Sequence, residues 1–332
     1  MGVGEFLGKL FGAEAPKNET PLRAYGKLPM YAEYRRLEVA PGTPTAFTQW
    51  LDAGRLAWVN SPTKSATGVT RSSRLLLQLP ESKELVVASV WDSRDTVGRV
   101  FPFCFFVVCP PDALGETPLV RLACALRIFA EFDRLHGELN LLGSGGDFYK
   151  LYAKQRLQLR PDDVDERLAR LRAESGAIDA EQWFEAVSPD GKLEAEIWYA
   201  MLLRRGQRWH TQPELAANLA VSCPLAPCAP NATQLALWLE WLEPALLRAG
   251  RMPSLALAAE GAKGAHAGHI LARDLIPNDF QLLTTDDVRY GFIERLADAP
   301  VTSSDQSGSI QLVKPATGPL LSWLKAHTPQ PA

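Results

Sequence analysis

Two apolar runs, 84–91 (Glu84-Leu85-Val86-Val87-Ala88-Ser89-Val90-Trp91) and 101–108 (Phe101-Pro102-Phe103-Cys104-Phe105-Phe106-Val107-Val108), lie either side of a short polar segment. They are rich in β-branched and aromatic residues and bounded by polar or proline clusters, so each predicts a strand through the core. Leu75-Leu76-Leu77-Gln78-Leu79, ending at Pro80, predicts a buried strand just before them. Upstream, Gly26 and Pro29 punctuate a strand-to-loop transition. Thr45 is placed to cap a helix through Phe47, Trp50, Leu51 and Leu56, with Gly54 interrupting it near its end. Thr117-Pro118 starts the clearest helix, with threonine as the N-cap and proline at the first helical position. Its stripe of Leu119, Leu122, Leu126 and Phe129, joined by Ala125, Phe132 and Leu135, makes a broad face for packing on a sheet. Gly137 is expected to stop it, leaving His136 as a surface residue in its last turn.

The pattern changes near Leu142-Gly143-Ser144-Gly145-Gly146-Asp147. That stretch lacks the lysine and serine or threonine of a phosphate loop and follows a helix, so it reads as a terminator or hinge. Beyond it helical periodicity dominates. Pro161-Asp162-Asp163 opens a charged helix, Asp179 with Gln182 resembles a capping box, Leu193 to Leu203 leads to a helix ending at Gly206, and Asn231 with Gln234 caps another. Ser254–Ala259 and His269–Leu271 read as strands, and Pro277-Asn278-Asp279-Phe280 begins a last helical region. The tail is Ser/Thr/Gly/Pro-rich and expected to be partly disordered, with Leu320–Leu324 a short docking piece. Phe6, Leu7, Leu10 and Phe11 at helical spacing predict a short amphipathic helix on a flexible lead. The expected organisation is a lead over 1–20, a strand-rich α/β domain over 21–142, a mainly helical α/β region over 143–300 and a tail over 301–332.

Composition adds little chemistry. The 332 residues are 46% hydrophobic and 22% charged with a net charge of -3, ordinary for a globular protein and without a global basic surface for nucleic acid. Five cysteines without framework spacing argue against a disulfide-built fold, and Cys104, Cys109 and Cys124 sit in apolar surroundings as buried thiols. No apolar stretch approaches the roughly 20 residues that span a bilayer, and the first residues make a poor signal peptide, so a cytoplasmic protein is expected. His266 and His269, and Cys223 with Cys228, lack the further ligands of a metal site. No nucleophile elbow occurs, and Asp162-Asp163 and Asp286-Asp287 sit where capping explains them. Tyr31, Tyr34, Arg35 and Arg36 form an aromatic and basic cluster that reads as an ordinary solvated segment. No catalytic residue, cofactor or metal is therefore assigned.

The polar segment between the two central strands holds the remaining chemistry. Asp95 and Arg99, four positions apart with Gly98 between, are placed to form an ion pair that closes the turn, Gly98 supplying a positive φ. Arginine also suits a carboxylate or phosphate ligand, so a structural lock and a ligand site both stay open.

In these segments the chain resembles the TagF (ImpM) family of proteins associated with the bacterial type VI secretion system. Gly26-Lys27-Leu28-Pro29 with Glu33-Tyr34, then Trp50-Leu51 with Gly54 and Leu56, then Ser93, Asp95, Gly98, Arg99, Phe101 and Pro102 follow the family's order and spacing over roughly residues 25 to 135. The resemblance implies a three-layer α/β/α sandwich with a mixed sheet. It implies a cytoplasmic, non-enzymatic accessory protein that restrains assembly or firing of the secretion machine after translation, acting through a forkhead-associated-domain protein. Gly26, Lys27, Pro29, Trp50, Ser93, Asp95, Gly98, Arg99 and Pro102 are then the residues of interest, for the fold or for a partner. Two other readings stand beside it: a hydrolase-like cleft around Lys27, Asp95 and Arg99, and a scaffold subunit of the machine.

Overall fold

The computed structural model describes residues 18–37, 45–60, 72–79, 84–142, 147–187, 195–258, 267–284, 293–296 and 316–328. The predicted helix at residues 6–11, the glycine-rich stretch at 143–146, His266, Asp286-Asp287 and tail residues 301–315 lie outside that set.

The two central runs become β5 (Leu85–Trp91) and β6 (Phe103–Cys109), paired antiparallel with Val87 opposite Val107. Successive strand residues face opposite sides. Leu85, Val87, Phe103, Phe105 and Val107 join one core cluster, and Val86, Ala88, Val90, Cys104 and Phe106 join the other. Because both faces are covered, the runs are continuously apolar rather than alternating. Each fully buried leucine or phenylalanine contributes roughly 1.5–3 kcal/mol, so strands buried on both faces anchor the fold.

With β2 (Arg23–Gly26), β3 (Arg35–Leu37), β4 (Ser73–Gln78), β8 (Ala220–Pro224), β9 (Ser254–Ala258), β10 (Ala267–Leu271) and β11 (Glu294–Arg295), they form a nine-stranded sheet in the order β11-β8-β10-β9-β4-β5-β6-β2-β3. Its pairs are antiparallel except β11 with β8, which makes the sheet mixed. A two-stranded sheet joins β1 (Glu19–Pro21) to β7 (Arg156–Gln158). Helices Pro118–Leu141 and Asn231–Arg248 contribute to the core on one face, while Ala46–Val59 and the 3-10 helix Pro277–Leu283 contribute to the other. The architecture is a three-layer α/β sandwich. The composition shift near residue 143 is not a break in the sheet: Leu75 of β4 pairs Ala256 of β9.

Several sequence expectations change in the tertiary setting. Ala46–Val59 continues through Gly54, because Phe280 packs against that position and a Cβ there would stand 2.5 Å from the Phe280 Cβ. Pro118–Leu141 likewise continues past Gly137. Burial of Leu139 offsets a glycine cost of about 1 kcal/mol. Asn231 and Gln234 do not cap their helix: Asn231 Nδ2 donates to the Ala258 carbonyl, and the Gln234 amide turns into the core. There Gln234 accepts from Trp183 Nε1 at 2.8 Å and from the Ala226 N–H at 2.6 Å. By contrast, Thr117 caps as expected, accepting from the Val120 N–H, and Asp179 accepts from the Gln182 N–H. Leu320–His327 is an ordered helix whose Leu320 and Leu324 are buried in the core, and Thr328 just beyond it receives the Trp241 indole N–H at 2.9 Å.

His136 is not a free surface residue. Its ring stacks on Trp91 with centroids 4.1 Å apart and planes within 4°, and Arg74 lies 5.7 Å from the Trp91 ring. Burial, with the Arg74 charge second, pushes its pKa down to about 4 from the usual 6.5. Above pH 6.5 His136 is neutral in both folded and unfolded chains. Between pH 6.5 and 4 the unfolded chain takes up the proton first, so stability falls as pH falls through that window. After discounting for partial solvent exposure, the expected loss is roughly 1–2 kcal/mol. Thermal melting from pH 7.5 to 4 checks this: His136→Phe should flatten that part of the profile, and an unchanged profile would refute the assignment.

Candidate functional site

The segment 93–102 folds as a tight hairpin. Gly98 N–H donates to the Asp95 carbonyl at 3.0 Å, Asp95 N–H donates to the Arg99 carbonyl at 3.2 Å, and Arg94 bridges Val100. This is a three-residue loop, Thr96-Val97-Gly98, and its closing glycine takes φ +83°. In this conformation the Arg99 N–H turns back onto the Asp95 side chain.

Asp95 is 2% exposed, and its carboxylate is fully engaged. Oδ1 accepts from the Val97 N–H at 3.1 Å and the Arg99 N–H at 2.9 Å. Oδ2 accepts from Lys27 Nζ at 2.7 Å and Arg99 Nε at 2.6 Å. Burial alone would raise the carboxyl's pKa. The Lys27 ammonium, the Arg99 backbone N–H and the Arg99 guanidinium outweigh it and hold the group well below the usual carboxylate range. Asp95 is thus an ionised anchor at neutral pH with its carboxylate oxygens already occupied by donors.

Lys27 reaches this carboxylate from the end of β2, across 68 positions of sequence. Ser93 Oγ donates to the Lys27 carbonyl at 2.6 Å, a second tie between the same segments. Pro29 occupies the second position of a turn closed by the Tyr31 N–H to the Leu28 carbonyl at 3.0 Å, a place suited to its fixed φ. Gly26 has φ +129°, and a Cβ there would stand 2.0 Å from the Pro102 carbonyl oxygen. Hence Gly26, Lys27, Pro29, Ser93, Asp95, Gly98, Arg99 and Pro102 converge on one assembly. Trp50 stands apart from it. Its indole N–H donates to the Ile276 carbonyl at 3.0 Å, and its ring lies between those of Phe47 and Phe280.

Sequence reasoning missed what stands above the ion pair. Tyr34 is 41% exposed, stacks on Tyr25 at 5.7 Å and meets Phe101 edge-on at 5.0 Å, with Lys27 Nζ 5.0 Å from its ring. The Tyr25 hydroxyl donates to Asp52 at 2.7 Å, and Arg36 lies 5.0 Å from the Tyr25 ring. The Arg99 side chain is 56% exposed, with its second guanidinium nitrogen on the Ala32 carbonyl at 2.6 Å. The aromatic and basic cluster noted in the sequence is therefore an ordered cation–π array, with Arg35 3.7 Å from the Tyr31 ring. Its signal was the cluster itself; the role of Asp52, on another element, left none.

Because Lys27 alone covers Asp95 from the buried side, Arg99→Ala should leave the fold intact. The exposed half of the network contributes about 1 kcal/mol or less. An unchanged circular dichroism spectrum with a small drop in melting temperature is expected, and a collapse of structure would show that Arg99 is needed for folding.

Elsewhere, Cys104, Cys109, Cys124 and Cys223 are buried free thiols and Cys228 is exposed and unpaired. Burial pushes Cys109 up to about 12 and Cys124 up to about 11, which keeps both protonated. His269 lies inside β10 at 1% exposure. Among the described residues, no group of three or more His, Cys, Asp or Glu side chains is placed to hold a metal ion. Among them also, no helix is long and apolar enough to cross a membrane.

No family model and no curated protein matches this chain. Among solved structures, PA0076 from Pseudomonas aeruginosa PAO1, a crystal structure at 2.05 Å resolution, aligns with 16% identity and a TM-score of 0.39. The alignment covers 81% of this chain and 96% of that one. A likeness this distant carries no argument.

Proposed function

We propose that the protein is a TagF-like (ImpM-like) accessory regulator of a bacterial type VI secretion system, restraining assembly or firing after translation by binding another protein. Its direct partner in this reading is a forkhead-associated-domain protein in the cytoplasm. The observation that carries the reading is the junction of the two resemblance segments: Gly26–Pro29 and Ser93–Pro102 meet at the Lys27–Asp95–Arg99 ion pairs, 2.7 and 2.6 Å long. Beneath an exposed Tyr34 and Arg99, that rigid junction supports a binding role over a catalytic one. A hydrolase using Asp95 as general base would need a lone pair that the network already occupies, and Lys27 is only 4% exposed.

The test is genetic and biochemical together. Deleting the gene should raise the amount of secreted protein in the culture supernatant, and excess wild-type protein should suppress it. The purified protein should retain the system's forkhead-associated-domain protein on a resin. Unchanged secretion in both strains, with no retention, would overturn the proposal.

A further inference from the structure

We propose that the face formed by Tyr34, Arg36, Arg55 and Arg99 is a docking surface for an acidic segment of a partner protein. The inference rests on the binding-module reading above and names the surface and chemistry of the contact.

Three observations carry it. First, the aromatic centre is preorganised. Tyr34 is held between Tyr25, Phe101 and the Lys27 ammonium while 41% of it stays in solvent, so binding would cost little side-chain entropy. Exposed tyrosine surrounded by arginine is the composition of interface hot spots. Second, the face is positive on a chain whose net charge is -3. Lys27 and Asp95 cancel beneath it. Of its bordering acids among the described residues, Glu33 and Asp52, the latter accepts the Tyr25 hydroxyl at 2.7 and 2.9 Å. Third, one of the cations, Arg55, is poorly paired. Its guanidinium lies 4.9 Å from the Trp58 ring; among the described residues its buried Nη1 has no hydrogen-bond partner, and Nη2 has a single long contact, to the Val100 carbonyl at 3.5 Å. Burial lowers the Arg55 pKa and Tyr34 acts against it, so a carboxylate arriving at the Nη2 side would meet a charge the chain leaves poorly matched.

Carboxylates fit better than a phosphate backbone here. Three guanidiniums set among aromatic rings, with Glu33 and Asp52 between them among the described residues, form discrete pairing points rather than a continuous basic track. Leu56, 64% exposed and one helical turn beyond Asp52, offers apolar surface for a side chain flanking the partner's acids.

Fluorescence anisotropy with the full chain tests the assignment, using fluorescein-labelled dodecaglutamate and an equally labelled dodecathymidylate. Dodecaglutamate should bind and weaken as salt rises. Arg36→Glu combined with Arg55→Glu should weaken it at least tenfold, and Tyr34→Ala severalfold, with melting temperatures within a few degrees of wild type. Neither change touches Asp95. Arg208→Glu, on helix Ala195–Thr211, should change affinity less than twofold. Absence of binding by the wild type, equal binding by the Tyr34 and Arg36/Arg55 variants, or an equal loss in Arg208→Glu would overturn the proposal. Tighter binding of dodecathymidylate would also overturn it and reassign the face to nucleic acid. Should the charge-reversed protein bind weakly yet deletion leave secretion unchanged, the regulatory reading fails and the surface stands. Should it restrain secretion as wild type does, the surface fails and the regulatory reading stands.

Discussion

Gly26→Ala is expected to prevent normal folding or to destabilise the protein by roughly 3–5 kcal/mol. The added Cβ would stand 2.0 Å from the Pro102 carbonyl oxygen and 2.7 Å from the Phe103 Cα. Both atoms belong to backbone entering β6, a strand buried on both faces, so neither can move aside without disturbing β5 and β2. The φ of +129° adds a conformation that alanine avoids. Gly98→Ala is the matched control. Its φ is +83°, but no described residue lies within 4 Å of the new methyl, so the backbone cost of about 1–2 kcal/mol is the expected effect. Soluble yield and melting temperature of the two variants decide the matter. Equal effects would mean that the β2–β6 approach gives way more easily than its geometry indicates.

Lys27→Met should be the next most damaging change, lowering the melting temperature by roughly 5–10 °C. The ammonium and Asp95 are both buried, 5% and 0% exposed by side chain, and removing one leaves the other in the interior without its buried counter-charge. Asp95→Asn should do comparable harm, because an amide cannot neutralise Lys27. The double variant should be less destabilised than the sum of the two, since it strands no charge. Strict additivity would show that the two groups do not act as a pair. The sign with pH follows from the depressed carboxyl. An Asp95 whose folded pKa lies below its unfolded value stabilises fully above the unfolded pKa, and this is lost as pH falls through the folded one. The difference between wild type and Asp95→Asn should therefore be constant from pH 5 to 9 and vanish only in strong acid.

These expectations separate two roles the same loop can play. Asp95, Lys27 and Gly26 hold β2 against the hairpin before β6 and touch little solvent. Tyr34 and Arg99 stand on that support with large exposed surfaces. A protein defective in binding but not in folding should therefore arise from the upper residues, whereas changes below disturb both.

Much of this was legible in the chain itself. The continuous apolar runs of β5 and β6, the strand of Leu75–Leu79, the Thr117-Pro118 cap and the Asp95–Arg99 turn are local signals, set by residues within a few positions of each other. Their physics is backbone preference and short-range hydrogen bonding, so the sequence was sufficient. It was insufficient where a distant neighbour decided the outcome. Gly54 and Gly137 read as helix stops, but burial against Phe280 and of Leu139 outweighs the glycine cost. Asn231 and Gln234 read as a cap, but the Gln234 amide satisfies buried groups around Ala226 instead. Ala220–Pro224 went unread in the sequence, and it is a strand between β10 and β11, which supply its hydrogen-bond partners.

The sequence by itself determined a charged turn between two core strands, closed by Asp95 and Arg99. Only the tertiary structure decided that Lys27, 68 positions away, would close over Asp95, and that Arg36, Arg55 and Arg99 would gather around the Tyr25–Tyr34 stack. The reason is that an ion pair closed within a turn needs only local chain geometry. A buried lysine and a shared aromatic face need the sheet to bring β2, β3, the hairpin and helix Ala46–Val59 together first.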